Sequence, residues 1–552
     1  MSVEPSSPLY HSPWGLLGFQ QEGVLKAYFD PVLAVWDTGL GKGHLVMATN
    51  ALLVEDGEID IHLLVCEQNK IDEWLADYAR FTDIEAIPYG GENQTITHRR
   101  RIMDAIRTGE PTQVKRGWTI EKPQVLVATY ETYRNDLMVK TKVRNPKGRL
   151  VEKEGPGPLS EVLSGKRVLV SYDEITKIGN RSTGIHKAQV ILLKHLAKTG
   201  GQARLIGLTA MPMERDPENF YNIGRILCPA DVGTVASFEQ DHVVWRDPYG
   251  VAKVFKNLSP EDTREPWVTP LSAKMGKVII RKRWTDDDVR ERFPQVDPEK
   301  YIPVRLGERH MEFYETVRDV FLETAKTEDD DRALFMLLRQ IAGLPVSILY
   351  STSKYAKTIV SEVGVGGLEA LGSAKLDMLS ARLKPIVLGQ GAQAVVFTFF
   401  GPSMIPFIAE RLEDDGMSVA QNFPDMGPKR RREHLAEFKE GQRRIFLSSD
   451  AGARGINLPQ ASYAFEYESA VTHANRIQRL NRTKRLDSRD HGVERIVFET
   501  LIAKDTVEDP LFDAVLRRNV WADALLDDDD PGDHFMTAEQ RRPLIKTARR
   551  RS

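Results

Sequence analysis

Cysteine is almost absent from this 552-residue chain, which holds only Cys66 and Cys228. Two thiols so far apart make neither a disulfide framework nor, by themselves, a four-ligand zinc site; they are expected to be buried and reduced. Long apolar runs are missing too. No segment approaches the roughly 20 uninterrupted apolar residues of a membrane span. The first residues, MSVEPSSPLYHSPWG, lack the basic start and apolar stretch of a secretory signal. A cytoplasmic location with no membrane partner is therefore expected. Nor is there an excess of either charge: 76 Lys and Arg stand against 79 Asp and Glu, a net −3. With no global attraction for a polyanion, any nucleic-acid binding must rest on local basic grooves.

What is present is an ordinary globular composition, 41% apolar and 28% charged, in a chain too long for one hydrophobic core. Basic residues cluster locally. Residues 140 to 153 hold Lys140, Lys142, Arg144, Lys147, Arg149 and Lys153 against Glu152, Lys429 to Arg432 reads KRRR, and the chain ends KTARRRS. The plain reading of each is a solvated loop or tail.

Short apolar runs bounded by turn residues alternate with helical stretches: LAVWDTGLGKG, IHLLVCEQ, QVLVATY, KRVLVSYDE and RLIGLTAMP, then PIVLGQ, AVVFTFF, RRIFLSSD, YAFEYE and RIVFETLI. This is the pattern of parallel strands joined by crossover helices. It predicts an α/β fold of two parallel-sheet lobes with helical insertions between them. The expected division is a first lobe over 1–235, a helical and basic insertion and linker over 236–295, a second lobe over 296–515 and a weakly ordered tail over 516–552. The second lobe is expected to carry a helical protrusion at about 309–380, where FYETVRDVFLETAK and DRALFMLLRQIAGL space apolar residues three and four apart.

DTGLGKGH, Asp37 to His44, follows an apolar strand and precedes a helix. Glycines let backbone N–H groups curl around phosphate, the helix offers its positive end and a lysine reaches the terminal phosphates. Gly39, Gly41 and Lys42 fit those tasks, within a nucleotide-binding stretch that includes Leu40, Gly43 and His44. Asp173 and Glu174 end an apolar strand, where a parallel sheet meets its ligand. One carboxylate can hold Mg²⁺ and the other can orient water. In QRLNRTKR, Gln478 to Arg485, helical i, i+3 spacing would put Arg482 and Arg485 on one face, able to reach a γ-phosphate.

In that order the motifs resemble superfamily two helicases, most closely the SWI/SNF-like DNA translocases, in which nucleotide lies between two RecA-like lobes. FQQEGV resembles the opening motif of that group and implies that Gln20 reads adenine. LLVCEQNKIDEW and TYETYRND resemble its next motifs, the latter implying nucleic-acid contacts at Thr129 and Tyr130. DEIT takes the DEAH-box place, implying Asp173 as metal ligand and Glu174 as the base. LTAMP, IIRKRW and DTVEDP fall where relatives have LTGTP, a basic linker and a TVE signature. SSDAGARGINLPQA is similar to STRAGGLGINL and implies Gly455 near nucleotide and Asn457 near DNA. QRLNRTKR implies Gln478 at the nucleotide, with Arg482 and Arg485 as fingers.

The resemblance thus implies an ATP hydrolase using ATP and Mg²⁺, acting on nucleic acid and most readily on double-stranded DNA; separately, the tail over 516–552 is the expected docking segment for a protein partner. Gly43 departs from the pattern, standing where a Ser or Thr hydroxyl usually ligates Mg²⁺. That leaves a second reading open: a nucleotide-gated DNA clamp, or a subunit of a larger complex, with weak hydrolysis. Thr176, Met211 and LDS (486–488) are further departures.

Overall fold

The computed structural model describes residues 7–517 except 14, 92–93, 116–117, 121–123, 145–148, 211–216, 247–252, 261–262, 264, 285, 325–327, 352, 454–455, 471–472 and 486–487. The chain divides into two compact units, the first ending at Asp286 and the second beginning at Asp287.

The first unit is built on a seven-stranded sheet. Its strands are β1 (Val32–Trp36), β2 (Ile61–Cys66), β3 (Ala86–Pro88), β4 (Val125–Thr129), β7 (Arg167–Asp173), β8 (Gln202–Thr209) and β9 (Ile279–Lys282). The labels β5 (Met138–Arg144) and β6 (Leu150–Pro156) belong to a separate hairpin between β4 and β7. The sheet order is β9-β1-β8-β7-β2-β4-β3, with every pairing parallel. In β1, β2 and β4 every residue is buried. Helices cover both faces of such a sheet, so its strands read as continuous apolar runs rather than alternations. Parallel pairing also brings the ends together: Val35 is level with Thr209, and Leu208 with Asp173. The loop after β1, the end of β8 and the Asp-Glu turn after β7 therefore share one sheet edge, where open α/β sheets bind ligands.

The helices that position this edge are α1 (Gly18–Phe29), α2 (Lys42–Glu55), α3 (Ile71–Phe81), α4 (Tyr130–Leu137) and α5 (Gly184–Thr199). IIRK, read from sequence as the start of a basic linker, is the edge strand β9, with Ala34 level with Ile280.

The second unit carries a second parallel sheet. Its strands are β10 (Gln295–Val296), β11 (Lys300–Val304), β12 (Ala394–Thr398), β13 (Val419–Asn422), β14 (Ile445–Ser449), β15 (Tyr463–Glu466) and β16 (Arg495–Ala503). They run β16-β15-β12-β14-β13, with β10 and β11 both on the outer side of β16. Between β11 and β12 the chain is helical: α6 (Glu308–Thr324), α7 (Glu328–Gly343), α8 (Lys354–Glu369) and α9 (Ala374–Lys384). Leu338, Ile341, Leu379 and Leu383 from these helices share one core with Val396 and Leu447 of the sheet.

One expected strand is corrected. PIVLGQ continues α9 as a helical turn over Pro385–Gly389. Ile386 and Val387 are buried but Leu388 is 55% exposed, so only one side of the segment has a core to face. So short an apolar run does not separate strand from helix by pattern alone. Among the described residues no helix is long and apolar enough to cross a membrane.

Candidate nucleotide site

The loop after β1 is shaped by its glycines. Gly39 and Gly41 have φ of 91° and 74°, and Gly41 is the N-cap of α2. A Cβ on Gly41 would lie 2.5 Å from the Gln20 amide nitrogen, so this position excludes a side chain on space as well as on φ. Gln20 is itself buried. Its Oε1 accepts from the Leu17 N–H at 2.8 Å, closing the start of α1, and its Nε2 donates to the Leu40 carbonyl at 3.0 Å. The expected adenine reader is thus also the brace of the phosphate loop. Lys42 sits at the first position of α2, and its Nζ donates to the Trp36 carbonyl at 2.7 Å and to the Asp37 carbonyl at 3.4 Å. The ammonium is held over the loop's own carbonyls, where an anion entering the loop can draw it away.

His44 faces elsewhere. Its Nδ1 lies 2.7 Å from the Tyr10 hydroxyl and its ring packs edge-on against Phe81. Burial, then the Arg80 charge, holds its pKa below the usual histidine value, so the ring stays neutral.

Asp173 and Glu174 close the same edge. Glu174 has φ of 65°, a left-handed conformation that costs a side-chain-bearing residue about 1–2 kcal/mol. Its Oε2 accepts from the Thr209 hydroxyl at 3.2 Å, so LTAMP touches the DEIT glutamate through its second residue. Met211 and Pro212 lie outside the described residues. Tyr130 is buried beneath the turn, with its hydroxyl 2.8 Å from the Asp173 carbonyl and 2.9 Å from that of Glu174. Burial and then the two carboxylates push its pKa well above the usual phenol value, so it remains a donor. The side chain expected to touch nucleic acid therefore holds the strained turn. Thr129 caps α4, accepting from Thr132 N at 3.1 Å, and is buried as well.

One contact was not anticipated. Trp74, in α3, donates its indole N–H to Asp173 Oδ2 at 3.0 Å. The same ring covers Gly43: a Cβ there would lie 3.6 Å from its edge. Trp74 thus lies over the position where a Ser or Thr hydroxyl was expected, and it orients the acid expected to hold the metal. The tryptophan was visible in LLVCEQNKIDEW, but its pairing with Gly43 and Asp173 exists only in three dimensions.

In the second unit QRLNRTKR departs from the helix inferred from its spacing. Helix α11 (His473–Leu480) ends before Arg482, and residues 481–483 form a turn. The Leu480 carbonyl is taken by the Thr483 hydroxyl at 3.1 Å, and Arg482 N–H turns back to the Arg479 carbonyl at 3.1 Å. Arg482 and Arg485 therefore share no helical face; both are half-buried, as is Gln478.

Arg479, to which no task was given, is fully enclosed. It pairs with both oxygens of Asp450, the Nη2–Oδ2 distance being 2.9 Å, and donates to Glu466 at 3.2 Å and the Glu468 carbonyl at 2.7 Å. Asp450 opens α10 (Asp450–Ala453) in SSDAGARGINLPQA, so Arg479 ties that motif to the arginine motif. Asn457 keeps a buried Oδ1 with no hydrogen-bond partner among the described residues. Gly455 lies outside them.

The donor set fits Mg²⁺ with nucleotide. Asp173 offers its second carboxylate oxygen, and Mg²⁺ characteristically takes one or two carboxylates, keeping waters and phosphate oxygens for the rest.

Residues 33–345 match the model of the SNF2-related domain and residues 374–487 that of the helicase conserved C-terminal domain. Lys42, Asp173 and Glu174 fall in the first match, and Asn457, Gln478, Arg482 and Arg485 in the second. Among curated proteins, an ATP-dependent RNA helicase FAL1 of Yarrowia lipolytica is 28% identical over 156 residues, 26% of this chain and 38% of that protein. Eukaryotic initiation factor 4A of Dictyostelium discoideum is 31% identical over 93 residues, 17% of this chain and 23% of that protein. The chain thus spans about a quarter to two fifths of the length of these relatives. Among solved structures, the helicase domain of Hef from Pyrococcus furiosus has a TM-score of 0.52 at 16% identity, covering 90% of this chain and 98% of that one. The likeness is one of fold. With the SNF2-related model covering more than half its length, the chain belongs to the SNF2-related family of superfamily two helicase-like ATPases.

Proposed function

We propose that this chain is an ATP-driven motor that translocates on double-stranded DNA in the cytoplasm. The observation that carries the reading is the meeting of Lys42, Asp173, Glu174 and Thr209 at one sheet edge, with Glu174 held in a strained turn. In this reading Gln20 and the loop from Gly39 to His44 bind the nucleotide, and Lys42 neutralises its terminal phosphates. Asp173 would hold Mg²⁺, which when bound would offset negative charge on the phosphates. Glu174 takes the proton of the attacking water as its oxygen bonds to the γ-phosphorus and the bond to ADP breaks. Arg482 and Arg485 meet the charge on the transferred group, and Gln478 and Gly455 line the nucleotide.

Asn457, with an amide oxygen lacking a partner among the described residues, is assigned to DNA together with Thr129 and Tyr130. For the two buried side chains this needs backbone contact or movement. The tail, 516–552, is assigned to a protein partner. Membership of the SNF2-related family favours duplex DNA, and the described basic clusters supply local charge in a chain of net −3.

The test is phosphate release from ATP and Mg²⁺ with duplex DNA, single-stranded DNA or RNA added. Stimulation by duplex DNA above the others is the expected result. Stimulation by RNA alone contradicts the DNA assignment, and ATP binding without turnover moves the reading to a nucleotide-gated clamp.

A further inference from the structure

The densest basic stretch is not a loop. Strands β5 and β6 pair antiparallel from Met138↔Pro156 to Arg144↔Leu150. At about 3.4 Å per residue the ladder is about 20 Å long. Its root is fixed to the first unit: Gly157 N–H and the Ser160 hydroxyl both donate to the Leu137 carbonyl at 2.8 Å, and Lys187 of α5 pairs with Glu154 at 3.1 Å. Beyond the root, every described residue from Val139 to Lys153 except Val143 is exposed.

Six cations and two carboxylates occupy 138–156, in a chain whose overall balance is negative. The acids lie toward the root. Glu154 is met by Lys187 and Glu152 by Lys140 at 3.5 Å. Lys142 and Lys153 form no ion pair among the described residues, and beyond the Lys142↔Glu152 rung the sequence holds cations alone. Lone two-stranded hairpins are marginal in water, and the opposite-charge rungs here, Lys140↔Glu154 and Lys142↔Glu152, both lie in its root half. Such a hairpin gains stability from a polyanion laid along it. Lys140, Lys142 and Arg144 alternate on one face about 7 Å apart, a spacing comparable to that of successive phosphates along a strand. Leu150, 64% exposed on the same face as Arg144, offers apolar surface to sugars.

Its position is consistent with that use. Helix α4 leaves the sheet at Thr129 and runs directly into β5, and the hairpin root rests on the start of α5, ten residues after Glu174. The arm therefore leaves the first unit against the start of α5.

We propose that this hairpin is a contact arm for double-stranded DNA, its cations lying along the phosphate backbone. The inference rests on the reading of the chain as a DNA motor. It assigns binding energy to residues outside the shared motifs.

The test uses the full chain with Lys140→Gln, Lys142→Gln and Arg144→Gln combined, and binding of a duplex of about 30 base pairs, without nucleotide, across a salt series. Each phosphate contact contributes about −0.9 to the slope of log affinity on log salt, so the variant's slope should shrink by about 2–3, with affinity about 10- to 100-fold lower near physiological salt. Melting temperature and DNA-free ATP turnover should be unchanged. A second variant replacing 140–153 by a short Gly-Ser turn should lose at least as much affinity. Wild-type slope and affinity in both variants would overturn the arm while leaving the motor intact. Failure of the wild-type chain to bind any duplex overturns both.

Discussion

Replacing Trp74 by Phe removes one N–H from the candidate metal site and leaves an aromatic ring in α3. In the native chain that N–H lies 3.0 Å from Asp173 Oδ2, and the indole covers the face of Gly43. A hydrogen bond to a charged acceptor is worth about 1.5–3 kcal/mol, and removing a group that orients a metal ligand typically costs 10- to 100-fold in metal affinity or activity. Asp173 is half-buried, so water can partly replace the donor; the expected rise in half-saturating Mg²⁺ is about tenfold. The smaller ring costs the fold about 1–2 kcal/mol, within the stability of an ordinary domain. Mg²⁺ titration of ATP turnover, paired with Mn²⁺ binding at fixed ATP followed by electron paramagnetic resonance, reads the effect with and without catalysis. Adding Gly43→Ser to Trp74→Phe places a hydroxyl in the vacated space and should recover part of the loss. Half-saturation within a factor of two of wild type by both methods would refute the reasoning.

Other perturbations separate the remaining roles. Arg482→Ala should lower turnover on the order of 10³-fold while ATP affinity stays within about threefold, because a finger acts on transition-state charge; equal loss of both contradicts that role. Arg479→Ala should destabilise the second unit by about 3 kcal/mol in urea unfolding, since it leaves Asp450 without its buried cation and Glu466 with Arg476 alone, and a change below about 1 kcal/mol contradicts it. His62 is enclosed beside Ser171 and Tyr78, and burial lowers its pKa to about 3. Above pH 6.5 the ring is neutral folded or unfolded; below it, only the unfolded chain takes the proton. Lowering the pH from 6.5 to 4.5 should therefore cost the first unit about 2–3 kcal/mol, a dependence that His62→Gln removes. Parallel pH profiles of the two proteins would contradict this.

The fold was legible where apolar runs were long and doubly covered. LAVW, IHLLVC, VLVAT and AVVFT are central strands, mostly apolar and buried on both faces. Legibility failed at the edges. IIRK shares its pattern with a basic linker because an edge strand has one open side, and Ala86–Pro88 holds a proline that only an edge accepts. PIVLGQ failed for the opposite reason, being apolar enough for a strand while continuing a helix.

At the site, sequence order alone pointed to Lys42, Asp173 and Glu174, because glycines before a lysine and acids at a strand end have few packing uses. It could not find Trp74 over Gly43, or distinguish the buried Arg479 from Arg482 and Arg485, since those distinctions depend on partners 31 to 99 positions away or on where a helix stops. The 140–153 stretch reads as a solvated loop by composition; only strand register reveals an arm.

Single-turnover phosphate release by wild type and Glu174→Gln, alongside the ATP affinity of each, tests the central claim most directly. The account predicts that the variant binds ATP as wild type does and releases phosphate at least about 100-fold more slowly, because Glu174 takes a proton and does not grip nucleotide. Equal release rates at equal affinity would contradict the account and remove the Asp173–Glu174 turn from the chemistry.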